Sequence, residues 1–110
     1  MERLITIYWR DIPSRVVGRR GRKSVIKQTL DPRFEKAIER AARRAERGSS
    51  RKYMEDWRRE SQPCASDLEA AVAEEVTRLE AAFPPDLLER VVRAAGLLEN
   101  PEQSEGQAKG

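Results

Sequence analysis

The sequence predicts an α+β domain: a small antiparallel sheet of three strands, a fourth left open at residues 61–65, and helices packed on one face. Three observations predict it. An apolar strand-like run opens the chain and is followed by a glycine-punctuated, β-branched segment. A continuous helical stripe then begins just after Asp31-Pro32. Two more apolar stripes, separated by Pro84-Pro85, fill most of the second half.

Residues 3–10 read as a strand, with Ile5, Ile7 and Trp9 on one side and Leu4, Thr6 and Tyr8 on the other. Both sides are largely apolar, so an interior strand covered on both faces is expected. Asp11-Ile12-Pro13-Ser14 is expected to break it, because proline cannot donate to a ladder. Residues 15–19 and 23–30 read as a hairpin turning through Gly18-Arg19-Arg20-Gly21. A helix over 32–47 follows. Asp31 suits the N-cap and Pro32 the first turn, and Phe34, Ala37, Ile38, Ala41, Ala42 and Ala45 form one stripe. Arg47-Gly48 is its stop signal. Ser49-Ser50 caps a second helix expected to run to about Arg59, with Tyr53, Met54 and Trp57 on one face.

Ser61-Gln62-Pro63-Cys64-Ala65 reads as a linker that leaves room for an edge strand. Ser66-Asp67-Leu68-Glu69 has capping-box spacing and opens a helix striped by Leu68, Val72, Val76, Leu79 and Phe83. Pro84-Pro85 ends it. A last short helix carries Leu87, Leu88, Val91, Val92 and Ala95, and Gly96 stops it. The expected domain is 1–96, with a polar, disordered tail over 97–110.

With 110 residues, 38% hydrophobic and 37% charged, the chain is sized for one soluble domain with a modest core. No apolar run approaches the roughly 20 residues of a membrane span. Residues 4–9 are too short for a secretory h-region, so the expected compartment is the cytoplasm. Cys64 is alone, which rules out an internal disulfide, and it reads as an incidental thiol. There is no histidine. That removes the commonest general base, the Ser–His and Cys–His couples, and most zinc, copper and non-haem iron sites. No cofactor, metal or catalytic residue is expected.

Charge is unevenly placed. Residues 1–60 hold 18 Lys+Arg against 9 Asp+Glu, and residues 61–110 hold 4 against 10. Such polarity fits an anionic partner, and it equally fits two halves that attract each other on folding. Arg15, Arg19, Arg20, Arg22 and Lys23 make the 15–27 hairpin the candidate anion site, for nucleic acid above all. No aromatic residue interleaves them, unlike a single-strand binder, and an edge hairpin carries cations simply to resist aggregation. Arg40, Arg43, Arg44 and Arg47 ladder one helix, but Glu35, Glu39 and Glu46 interrupt them, as on a solvated face. Asp67, Glu69, Glu74, Glu75 and Glu80 read as helix-dipole and surface acids rather than a metal site. Trp9 has the size of a partner anchor and also of a core residue, with Arg10-Asp11 beside it as a candidate ion pair. Trp57, ahead of Arg58-Arg59, admits the same two readings.

Tyr8-Trp9-Arg10-Asp11-Ile12-Pro13, Gly21-Arg22-Lys23, Arg33-Phe34-Glu35-x-Ala37-Ile38 and Glu55-x-Trp57-Arg58-Arg59 together resemble the small bacterial "virulence factor" domain family. The likeness runs from about Leu4 to Phe83. It implies no reaction and no catalytic residue. Larger members attach such a domain to helical repeats, which implies a module acting through other proteins. That family is more strand-like than this chain at 60–65. The expected function is therefore a non-catalytic protein-interaction or regulatory module. Its partner-binding residues would be Tyr8, Trp9, Arg10, Asp11, Trp57 and Arg58, and nucleic-acid binding by the hairpin is the alternative.

Overall fold

The computed structural model describes residues 2–46 and 50–98. Strand β1 (Glu2–Trp9) is an interior strand, as its two apolar sides predict. It pairs antiparallel with β2 (Ile12–Arg20) on one side and β4 (Trp57–Pro63) on the other, and β3 (Lys23–Thr29) completes the sheet in the order β3-β2-β1-β4. Helices α1 (Pro32–Arg44) and α2 (Ser50–Glu55) lie between β3 and β4, and α3 (Leu68–Ala82) and α4 (Pro85–Arg93) follow β4. The class is α+β, with a four-stranded antiparallel sheet.

Proline does not break the first hairpin. β2 begins at Ile12 rather than Arg15, and Pro13 lies within it. Ile7 pairs with Arg15 but Tyr8 with Pro13, so Ser14 is an extra, bulged residue. On the other side β3 has already ended at Thr29, opposite Arg15, so no ladder partner is deprived of a donor by the proline. The second hairpin turns later than expected, through Gly21-Arg22, with Arg20 opposite Lys23. Gly21 supplies the left-handed residue at φ 63. Gly18 is not a turn residue. It sits inside β2 under α3, and a Cβ there would lie 2.9 Å from Val72 Cγ2.

The cap of α1 forms as expected, with Asp31 accepting from Arg33 N–H at 2.9 Å. Arg47-Gly48, the expected stop, lies outside the described residues. α2 is shorter than expected: it ends at Glu55, and residues 57–59 are strand, not helix. The edge strand left open at 61–65 is β4, which runs from Trp57 to Pro63 along the free side of β1. β1 offers an unpaired row of N–H and C=O groups there, and filling that row outweighs the helical spacing of Tyr53, Met54 and Trp57. At α3 the cap is Asp67, accepting from Ala70 N–H, rather than Ser66. The expected tail falls mostly on residues 99–110, outside those described.

The core lies between the sheet and the helices. Leu4, Val16 and Gly18 share a face by cross-strand register, and α3 covers it with Leu68, Val72, Val76 and Leu79. At the Trp9–Ile12 end, α1 and α4 add Phe34, Ala37, Ile38, Ala41, Leu88, Val91 and Val92 to the same cluster. The alanines of α1 allow α4 to approach closely. The two helices run alongside in one direction, since Arg33 reaches the Phe83 carbonyl, Arg40 reaches Glu89, and Arg44 reaches the Arg93 carbonyl.

The second face of β1 departs from expectation. Ile5 and Val17 are buried but do not join the core cluster. Their neighbours across the face are Arg15, Arg19, Lys27, Arg59 and Ser61. Long basic stems, not a helix, close over them.

Candidate functional site

Two places gather the residues singled out above: the turn between β1 and β2, and the helix-free face of the sheet.

The β1–β2 turn is a clamp. Its two loop residues are Arg10 and Asp11, and Arg10 is left-handed at φ 54. A side chain holds that conformation only where its surroundings fix it. Here Arg10 N–H donates to the Asp56 carbonyl at 2.9 Å. Its guanidinium reaches Asp56 Oδ2 at 3.3 Å and the Ala95 carbonyl at 2.9 Å, and lies over the Trp9 ring. Asp11 N–H donates to the Gly96 carbonyl, and Asp11 Oδ2 accepts from Leu98 N–H. The expected Arg10–Asp11 ion pair does not form. Arg10 pairs with Asp56, and Asp11 with Arg58 at 3.4 Å.

Trp9 is fully enclosed, with 0% exposure. Its indole N–H donates to the Tyr53 carbonyl at 2.9 Å, and its ring stacks on Tyr53. Gly96, at φ 91, brings its backbone so close that a Cβ would sit 2.9 Å from Trp9 Cζ3. Tyr8 is half-buried under the Arg58 guanidinium, 4.4 Å from the ring centroid, and burial pushes its hydroxyl pKa up. Arg58 also bonds Glu60 and the Arg10 carbonyl. The string Tyr8 to Pro13 thus ties β1 to the start of β4 and to the exit of α4.

The predicted anion-site residues divide. Arg20 is taken by Glu2 at 3.0 Å and by the Ser66 carbonyl, and the hydrogen bond from Arg20 holds the Glu2 carboxyl below its ordinary pKa. Arg22 and Lys23 are exposed at the hairpin tip. Arg15 and Arg19 lie on the helix-free face of the sheet.

That face is ordered in rows across the strands. One row reads Thr29, Arg15, Ile7, Arg59; the next reads Lys27, Val17, Ile5, Ser61; a third has Arg19, Arg3 and Pro63. An open cleft of about 470 Å³ is lined by Ile7, Arg15, Met54, Trp57 and Arg59. Met54, at the end of α2, is 64% exposed. Trp57 packs edge-on against Tyr53 at 5.7 Å, which keeps its indole at the cleft wall. Met54, Ile7 and Arg59 were not singled out as site residues from the sequence. The signal for Ile7 and Arg59 was their shared row with Arg15, Ile7 opposite Arg15 across β1–β2 and Arg59 opposite Ile7 across β1–β4, and the second pairing needs a correct β4.

Further clefts open among the described residues. One between β4 and α3 is polar, about 240 Å³, and lined by Thr6, Tyr8, Glu60, Ser61, Gln62, Glu75 and Arg78. The Glu75–Arg78 pair closes its helical side. Another, lined by Arg33, Arg40, Leu88 and Glu89 among others, is the seam between α1 and α4. The last holds Cys64, whose thiol pKa is raised, first by burial. Among the described residues no three His, Cys, Asp or Glu side chains are grouped to hold a metal ion, and no helix is long and apolar enough to cross a membrane.

No curated protein and no solved structure shows significant similarity to the chain. The model of one protein family, described as "Virulence factor", matches residues 7–92. The matched span opens at Ile7 in β1, takes in the β1–β2 turn and β4, and closes in α4, short of the clamp partners Ala95, Gly96 and Leu98. The strings that carried the resemblance therefore belong to one continuous structural unit, and the chain is a member of the Virulence factor family.

Proposed function

We propose that this domain is a docking module for another protein and performs no chemistry of its own. The observation that carries the reading is the helix-free sheet face, where Ile7, Trp57 and the exposed Met54 form an apolar cleft between Arg15 and Arg59. An exposed methionine beside an indole and an isoleucine in one cleft gives a partner an apolar anchor point. The lack of any histidine and the raised pKa of the solitary thiol argue the same way, since neither general-base nor thiolate chemistry is readily supplied. The reading assumes a partner in the bacterial cytoplasm.

Within the originally expected partner-binding set, this reading centres on Trp57. Trp9, Arg10 and Asp11 are consumed by the clamp, while Tyr8 and Arg58 pair across β1 and β4 on the opposite face. Nucleic acid is the less favoured occupant. Single-stranded ligands are gripped by several aromatic platforms, and this face has one indole.

A photo-crosslinking residue in place of Met54 tests the reading, with one in place of Glu74 as control. The expected result is a protein adduct of discrete mass from position 54 that disappears when Trp57→Ala is added. Equal labelling from position 74, or an adduct removed by nuclease, contradicts it.

A further inference from the structure

We infer that the segment docked on this face is acidic: a stretch of the partner with one large apolar side chain for the cleft and carboxylates for Arg15 and Arg59. The inference rests on the docking reading and specifies its chemistry.

Charge matching across the molecule carries it. Elsewhere several arginines meet carboxylates of the same chain: Arg10 with Asp56, Arg20 with Glu2, Arg40 with Glu89, Arg58 with Asp11 and Glu60, Arg78 with Glu75. The strand residues of the helix-free face include Arg3, Arg15, Arg19, Lys27 and Arg59, and no Asp or Glu. None of Arg15, Arg19, Lys27 or Arg59 forms an ion pair with a described residue. Arg3 spends its Nε on the Ser61 hydroxyl. Arg19 Nε, like Arg33 Nε at the α1–α4 seam, is buried without a hydrogen-bond partner among the described residues.

The spacing supplies the second argument. Cationic rows at Arg15/Arg59 and at Arg19/Arg3 are separated by the apolar row of Val17 and Ile5. Same-face positions along a strand recur about every 6.6–6.8 Å. An extended segment has the same repeat, so its alternate side chains keep step with the rows. The five cations also concentrate anionic ligands before contact, which raises the association rate and makes it salt-sensitive.

Peptide display tests this directly. Random dodecamers are selected on the full chain and counter-selected on the double variant Arg15→Glu/Arg59→Glu, with circular dichroism confirming that the variant is folded. The milder pair Arg15→Gln and Arg59→Gln serves if the charge reversal disturbs the sheet. The expected winners carry Asp or Glu beside a large apolar residue. Their affinity should fall at least tenfold on either arginine substitution, at least tenfold on Trp57→Ala, and several-fold between 50 and 500 mM NaCl. Winners that need Trp57 but carry no acidic residue overturn the acidic inference and leave the docking reading standing. Failure to select any Trp57-dependent peptide overturns both. Displacement of the peptides by single-stranded RNA or by phosphatidylserine vesicles at lower concentration than by acidic peptide assigns the face to another anion and overturns the inference.

Discussion

Two glycines show how single residues set this fold. Gly96 must be left-handed and must have no side chain, because the enclosed Trp9 ring lies against it. Gly96→Ala is therefore expected to lose about 2–4 kcal/mol, the sum of a left-handed alanine and an overpacked indole. Gly18→Ala meets Val72 without a backbone penalty and should lose about 1–3 kcal/mol. Urea denaturation of both variants checks the order, Gly96 worse than Gly18. Arg10→Ala removes the bonds to Asp56 and to the Ala95 carbonyl, and about 1–3 kcal/mol is expected, read by the same method. The sequence distinguished some of these roles. Glycine as the end of the last helix was legible from the apolar stripe before Gly96, whereas Gly18 read as a turn because nothing local reveals a helix packed above a strand. Arg10 and Asp11 read as a pair because adjacency is visible in sequence, and their true partners, 46 and 47 residues away, are not.

At the scale of elements, α1 and α4 are held by a seam with a charged rim. The Glu89 carboxyl is pulled below its ordinary pKa, first by its hydrogen bond from Arg40. A carboxyl depressed in the folded state contributes stability fully above the ordinary value of 4.5 and loses it as pH falls through the lower, folded value. Acidification below 4.5 should therefore lower the melting temperature, and Glu89→Gln should remove part of that drop by lowering the melting temperature at pH 7 by the same small amount. Both effects should shrink in 1 M NaCl, since the pair is exposed and screened. Thermal melts from pH 7 to pH 3 read this out. The strong helices were legible because their stripes run over three or more turns behind a cap or a proline. β4 was misread between 57 and 59 because its strand state comes from the free edge of β1, a tertiary cause that overrides spacing.

At the scale of the whole molecule, arginines of the basic first half reach the second half at several places. Arg33 binds the carbonyls at the end of α3, Arg40 binds Glu89, and Arg20 binds the Ser66 carbonyl. Arg40–Glu89 is an ion pair between the halves, whereas those of Arg10, Arg20, Arg33, Arg58, Arg78 and Arg93 each stay within one half, so direct pairing offsets little of the charge asymmetry, whose two explanations the sequence left open. The helix-free sheet face gathers cations with no carboxylate among its strand residues, and no reading of the hairpin alone assembles it, because Arg59, Trp57 and Met54 come from β4 and α2. Trp57→Ala should separate the two kinds of aromatic residue. It is expected to keep the fold, losing about 1 kcal/mol with the Tyr53 contact, while abolishing docking. Trp9→Ala should cost about 3–5 kcal/mol and unfold much of the chain.

The most direct test of docking at this face is a chemical-shift map of isotope-labelled protein titrated with a synthetic peptide that places one leucine between acidic residues. The account predicts that the Trp57 indole and the amides of Ile5, Ile7, Arg15, Val17 and Arg59 move together, while those along the α1–α4 seam stay still. Movement confined to the hairpin tip or to the polar cleft between β4 and α3, or none at millimolar peptide, would contradict it.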